Sequence, residues 1–143
     1  MRKFMMEALK EAQKAEKSGS VPIGAVIVEN NKIISRSGNK VIRNCDPTAH
    51  AEILAIRRAC SFLNSRIINE CDIFVTLEPC PMCAHAISLA RIRRVYFGAY
   101  NLSVMKSNSF ASSQEIVGLE IIGGVLETQC AKILQNFFDL KRS

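Results

Sequence analysis

The sequence predicts an α/β domain, and three observations predict it. A helical repeat of apolar residues opens the chain, a strand-turn-strand pattern follows, and two β-rich runs flank a helix-length segment further on. Two strands joined by a helix of that length must lie parallel with a right-handed crossover, so residues 71–98 form a β-α-β unit. With 143 residues, 48% of them hydrophobic, the chain can cover a central sheet with helices. It carries no internal repeat and no interdomain linker, so one domain over residues 1–143 is expected.

Each element has its own signal. Phe4, Ala8, Ala12 and Ala15, with Met5 and Leu9 beside them, follow a helical period that Ser18-Gly19-Ser20 stops. Residues 21–28 and 33–36 flank Glu29-Asn30-Asn31-Lys32 as a hairpin, with Gly24 marking a close backbone approach or a bulge. Asp46-Pro47 offers an N-cap and a proline at the first position of a second helix, lined by Ile53, Ile56, Cys60 and Leu63. That reading puts His50 and Glu52 in the opening turns of the helix. Residues 73–77 make a strand, a third helix runs from Pro81 to about Ala90, and Val95-Tyr96-Phe97 starts another strand. The serine- and asparagine-rich stretch 99–118 reads as a long functional loop. Residues 119–122 form a last strand, and Leu126, Cys130, Ile133, Leu134 and Phe137 line a closing amphipathic helix.

The bulk properties narrow the function classes. The first residues soon mix with charges, and no membrane-length apolar stretch follows, so a soluble, cytoplasmic protein without membrane partners is expected. Cys45, Cys60, Cys71 and Cys130 are scattered along a chain that can bury its own core, which favours reduced, half-buried thiols over a disulfide scaffold. The net charge of +6 is uneven. Lys32, Arg36, Lys40, Arg43, Arg57, Arg58 and Arg66 outnumber Asp46 and Glu52 by five between positions 32 and 66. A basic rim suits a polyanionic partner, although an ordinary solvated surface has the same composition.

The chemistry concentrates at two motifs, His50-Ala51-Glu52 and Pro79-Cys80-Pro81-Met82-Cys83. One imidazole and two thiolates leave a tetrahedral zinc with an open fourth corner, the arrangement that activates water. With Cys80 as N-cap and Pro81 as the first helical residue, Cys83 falls third, where an N-cap side chain folds back, so both sulfurs converge. The positive helix end favours thiolate. Glu52, about 200° around a helix from His50, is left free to exchange protons with the water rather than bind metal. Alone, C-x-x-C reads equally as a redox pair or half a zinc knuckle, and H-x-E says little; together they are far more specific. His85 reads as a polar residue of the third helix.

These motifs resemble those of the cytidine-deaminase-like zinc hydrolases, and among them the chain most resembles bacterial tRNA-specific adenosine deaminases. H-x-E with P-C-x-x-C is a known signature of zinc nucleobase deaminases. The resemblance also covers residues 21–26, Asn39, 46–53, 75–84 and Asn136-Phe137-Phe138. It implies a three-layer α-β-α sandwich around a five-stranded mixed sheet of order 2-1-3-4-5, with one zinc per subunit on His50, Cys80 and Cys83. It implies hydrolytic deamination of adenosine to inosine at the wobble position of a tRNA anticodon loop, with zinc-bound water as nucleophile and Glu52 as proton shuttle. Asn39 would hydrogen-bond the flipped base, where an amide offers donor and acceptor together, although after Gly38 it also reads as a turn residue. Lys141 and Arg142 would bind phosphate, and the enzyme would be a homodimer on a tRNA anticodon stem-loop; Phe137 and Phe138 match the family's aromatic pair but also read simply as core. The chain departs from the family at Asn101-Leu102-Ser103-Val104-Met105-Lys106-Ser107, where members carry an Asp, a Lys and glycines. Two other readings stay open: a free-base deaminase for guanine or cytosine, and a non-enzymatic RNA-binding domain with structural zinc.

Overall fold

The computed structural model describes residues 1–102 and 119–142. The strands β1 (Gly24–Glu29), β2 (Lys32–Gly38), β3 (Cys71–Leu77), β4 (Arg94–Ala99) and β5 (Glu120–Ile122) form one sheet in the order β2-β1-β3-β4-β5. β1 is antiparallel to both β2 and β3, whereas β3, β4 and β5 run parallel. Four helices cover the sheet among the described residues: α1 (Arg2–Lys17), α2 (Ala51–Leu63), α3 (Pro81–Leu89) and α4 (Glu127–Arg142). The expected strand order and β-α-β unit are both present.

Strand periodicity explains the three layers. Ala25, Ile27, Ile73, Val75, Val95 and Phe97 face α2 and α3, while the alternate residues Val26, Val28, Phe74 and Tyr96 face α1 and α4. Each face therefore has its own core, and Phe74 stacks on Tyr96 at 4.4 Å between ring centres. The hairpin turns through Asn30 and Asn31, both at positive φ (51° and 64°), a conformation that asparagine tolerates and that matches strand twist. Gly24 marks a close approach rather than the bulge, which falls between Ile27 and Val28. A Cβ at Gly24 would collide with the Ala8 carbonyl oxygen and sit 2.5 Å from the Ala12 nitrogen, so the bare backbone lets α1 settle on β1.

Two expectations at α2 change. The helix starts at Ala51, not at Pro47. Oδ1 of Asp46 accepts the Thr48 N–H at 2.9 Å and the Thr48 hydroxyl at 2.7 Å, so the aspartate closes its own local turn instead of capping a helix. The buried face of α2 is Ala51, Glu52, Ala55 and Ala59, with Ile56, Cys60 and Leu63 packed at its margins. Small residues at the centre of that face let the helix axis approach the sheet closely. Cys71 and Cys130 are buried and Cys60 is half-buried, as expected, but Cys45 is exposed. No helix among the described residues is long and apolar enough to cross a membrane. Residues 103–118, most of the expected loop, lie outside the described residues.

Candidate metal centre and active site

The carboxyl end of β3 delivers Cys80. The residue is the N-cap of α3 in extended conformation (φ −70°, ψ 169°), Pro81 is the first helical residue, and Cys83 is the third. No side-chain cap hydrogen bond closes at Cys80, yet the Met82 and Cys83 N–H groups point at its sulfur closely enough to favour thiolate. His50 arrives differently from the expectation. It is the extended N-cap of α2 (φ −69°, ψ 153°), and its carbonyl accepts the Leu54 N–H at 3.1 Å. The imidazole and Glu52 are thus separated by the cap boundary as well as by rotation around a helix. The starts of α2 and α3 face one another, which brings the two motifs together.

His50 Nδ1 lies 3.6 Å from Cys80 Sγ and 3.4 Å from Cys83 Sγ. Among the described residues these three form a group able to hold a metal ion, with all ligand atoms within 4.8 Å of one another. Tetrahedral zinc with ordinary Zn–N and Zn–S bonds requires N···S separations of about 3.6 Å, so the donor set fits the ion in kind and in spacing. Exposed His85 does not join the group.

Glu52 adjoins the cluster at 4% exposure. Burial pushes its carboxyl up to about 7, with the Cys80 charge adding to the rise; its own backbone N–H, the His50 charge and the Cys83 thiol pull the other way. The two thiols are pushed in opposite directions. Cys80 is drawn down to about 5, chiefly by the hydrogen bond from Cys83, and Cys83 is pushed up by the same bond and by burial. A cation among the three ligands would favour thiolate at both.

Asn39 follows β2 at 9% exposure. Its Oδ1 accepts the Val41 N–H at 3.0 Å, forming the turn that its place after Gly38 suggested, and its amide N–H groups make no hydrogen bond among the described residues. The next residue, Lys40, donates its backbone N–H to Ala49 O at 2.9 Å, which ties this turn to the residue before His50. Lys141 and Arg142 end α4, which packs on β4, β3 and α1. Lys141 Nζ sits 5.2 Å from the centre of the Phe137 ring. The Arg142 side chain lies outside the described residues. Phe137 is buried, whereas Phe138 is 45% exposed, so only the first is core.

Sequence reasoning assigned no role to Thr76 or Glu78, both buried at the carboxyl end of β3 and just beyond it. Thr76 Oγ1 accepts the Gly24 N–H at 3.1 Å, and Glu78 Oε1 accepts the Asn101 N–H at 3.1 Å. The available signal was a charged residue directly before Pro79-Cys80, at a position where the chain has to be fully buried.

Comparison with known proteins agrees with this geometry. Residues 1–99 match the cytidine and deoxycytidylate deaminase zinc-binding region. A tRNA-specific adenosine deaminase of Agrobacterium fabrum is 45% identical over 143 residues, covering 97% of this chain and 94% of the relative. A structure solved in a study of A-to-I editing by tRNA:A34 deaminases at the wobble position of transfer RNA superposes with a TM-score of 0.87 at 43% identity, covering 94% of this chain and all of the other. A guanine deaminase from Bacillus subtilis is 37% identical with a TM-score of 0.68, covering 75% of this chain and 69% of its own. The higher identity and fuller coverage lie with the tRNA enzymes, and the chain belongs to the tRNA-specific adenosine deaminase family of zinc-dependent hydrolytic deaminases.

Proposed function

We propose that residues 1–143 form a single deaminase domain that converts adenosine to inosine at the wobble position of a tRNA anticodon loop, working as a cytoplasmic homodimer with one zinc per subunit. The observation that carries this reading is the His50–Cys80–Cys83 cluster with buried Glu52 beside it. His50, Cys80 and Cys83 would hold the ion and leave a corner open. Zinc in that position supplies an acidified water and a positive charge where negative charge gathers.

The remaining steps belong to the chain's own residues. Glu52 takes the proton given up as oxygen attacks C6 of adenine, passes it to a ring nitrogen, and later delivers a proton to the departing ammonia. Its buried position keeps bulk water from short-circuiting that transfer. Asn39, its oxygen engaged by Val41, presents amide N–H groups to an acceptor on the flipped base. A loop nucleotide suits this site because splaying it out costs only a few kcal/mol. Lys141 and Arg142 contribute positive charge for phosphate at the end of α4.

Incubation of the zinc-loaded protein with unmodified transfer RNA, beside an isolated anticodon stem-loop and a panel of free purines and pyrimidines, tests the reading. Inosine at the wobble position with no ammonia from free bases is the expected result. Ammonia from guanine or cytosine with no inosine would replace it with a free-base activity.

A further inference from the structure

A cavity of about 170 Å³ opens between the last turns of α1, the end of β2 and α2, and none of the three metal-binding residues lines it. Lys14, Lys40, Arg43 and Arg58 line it, opposed by one carboxylate, Glu11. That carboxylate is already engaged, by Lys14 Nζ at 3.1 Å and by the Arg36 guanidinium at 3.7 Å. Lys40, Arg43 and Arg58 have no ion-pair partner among the described residues.

Ser20 supplies an independent observation. It lines the same cavity at 1% exposure, and its hydroxyl makes no hydrogen bond among the described residues. A hydroxyl in a wall that also carries lysine and arginine side chains supplies a neutral donor for an oxyanion. The cavity is also coupled to the reacting centre. Asn39 belongs to its wall, and the Lys40 N–H bond to Ala49 O fixes that wall against the residue before His50.

We propose that this cavity binds a phosphodiester of the RNA strand beside the nucleotide held at the His50–Cys80–Cys83 centre. The inference rests on the tRNA reading above and adds a second foothold for the same substrate. Arg43 and Arg58 are exposed, which leaves the mouth open for a strand to pass, where a free phosphate would be held better by enclosure. The cavity thereby turns part of the basic excess between positions 32 and 66 into a defined phosphate subsite.

Steady-state deamination of an anticodon stem-loop by the zinc-loaded protein at several salt concentrations tests it. The double variant Lys40→Ala/Arg43→Ala should raise KM about tenfold, with the effect falling on KM rather than kcat, and should flatten the logarithmic salt dependence by about 0.7 for each phosphate no longer neutralised. Ser20→Ala should raise KM about threefold by removing one hydrogen bond. Lys3→Ala/Lys32→Ala, at the far ends of α1 and β2, removes the same charge and should leave KM within about twofold. An equal KM rise in this control overturns the proposal, because bulk charge would then explain the effect. The proposal also fails if the Lys40/Arg43 variant matches wild type without phosphate and differs only in its response to added inorganic phosphate, since the cavity would then serve the free ion. Inosine formation by wild type with unchanged KM and salt slope in the variant overturns the cavity's role alone; absence of inosine from wild type overturns the function reading with it.

Discussion

Glu78 Oε1 accepts the backbone N–H of Asn101 at 3.1 Å, joining the residue after β3 to the chain that leaves β4. The Glu78 N–H also donates to Ala99 O at 2.8 Å, so the peptide just before Pro79-Cys80 is held to β4 by backbone and side chain together. Glu78 is 1% exposed, and its Oε2 has no partner among the described residues. Glu78→Ala removes the acceptor and leaves a void, with an expected loss of about 2–4 kcal/mol in thermal unfolding of the metal-loaded protein. Glu78→Gln retains an amide oxygen for Asn101 and should lose less than half as much. Equal losses in the two variants would show that the carboxylate charge, not the neutral acceptor for Asn101 or the filled volume, is what this position supplies.

Glu52→Gln separates the chemistry from the metal. The amide keeps the size of the side chain but cannot cycle a proton, so inosine formation should fall by about two to four orders of magnitude. Zinc content, measured by elemental analysis, should stay at the wild-type level because Glu52 lies outside the ligand group. Unchanged activity would favour an RNA-binding role with structural zinc.

The β-α-β unit was legible because its signals are local: a helix-length segment between two β-rich runs requires a parallel pair. The three layers and the strand order came from the family resemblance, because β1, β3 and β4 are apolar on both faces and carry no alternation that marks them. The metal cluster was legible from spacing, since an N-cap cysteine and the third helical residue converge wherever such a helix starts. The start of α2 was not. Asp46-Pro47 carries a helix-opening signal, but the Asp46 carboxylate finds nearer donors in Thr48, and local bonding wins. Glu78 and the cavity near Ser20 were hidden for a different reason: their partners, Asn101 in one case and residues of α1, β2 and α2 in the other, are adjacent only in the folded chain.

At Gly24 the backbone of α1 lies hard against β1, and replacing the glycine should be costly. Gly24→Ala places a methyl group against the Ala8 carbonyl oxygen and the Ala12 nitrogen, both backbone atoms that cannot swing aside. α1 must then lift from β1, with an expected loss of about 2–3 kcal/mol in denaturant unfolding. The Gly24 N–H bond to Thr76 Oγ1 would lengthen as β1 shifts, so faster hydrogen exchange at residue 24 should accompany the loss. A variant as stable as wild type would show that the α1 packing relaxes without penalty.

Metal removal should change which thiols react. Burial pushes Cys71 and Cys130 up to about 12, and a raised thiol pKa subtracts thiolate at any fixed pH, so at pH 8 only about one molecule in ten thousand is ionised at either position. Both should stay unlabelled by iodoacetamide with or without a chelator, while exposed Cys45 labels in either condition. Cys80 is the sensitive position. It is half-buried, and without metal its thiol is drawn down to about 5 by the hydrogen bond from Cys83, which makes it thiolate throughout the neutral range. Bound zinc should shield that sulfur, so labelling of Cys80, followed by mass spectrometry of peptides, should rise on chelation as deamination falls. Added zinc should reverse both before alkylation and neither after it. Equal labelling of Cys80 before and after chelation would mean that no ion sits on its sulfur.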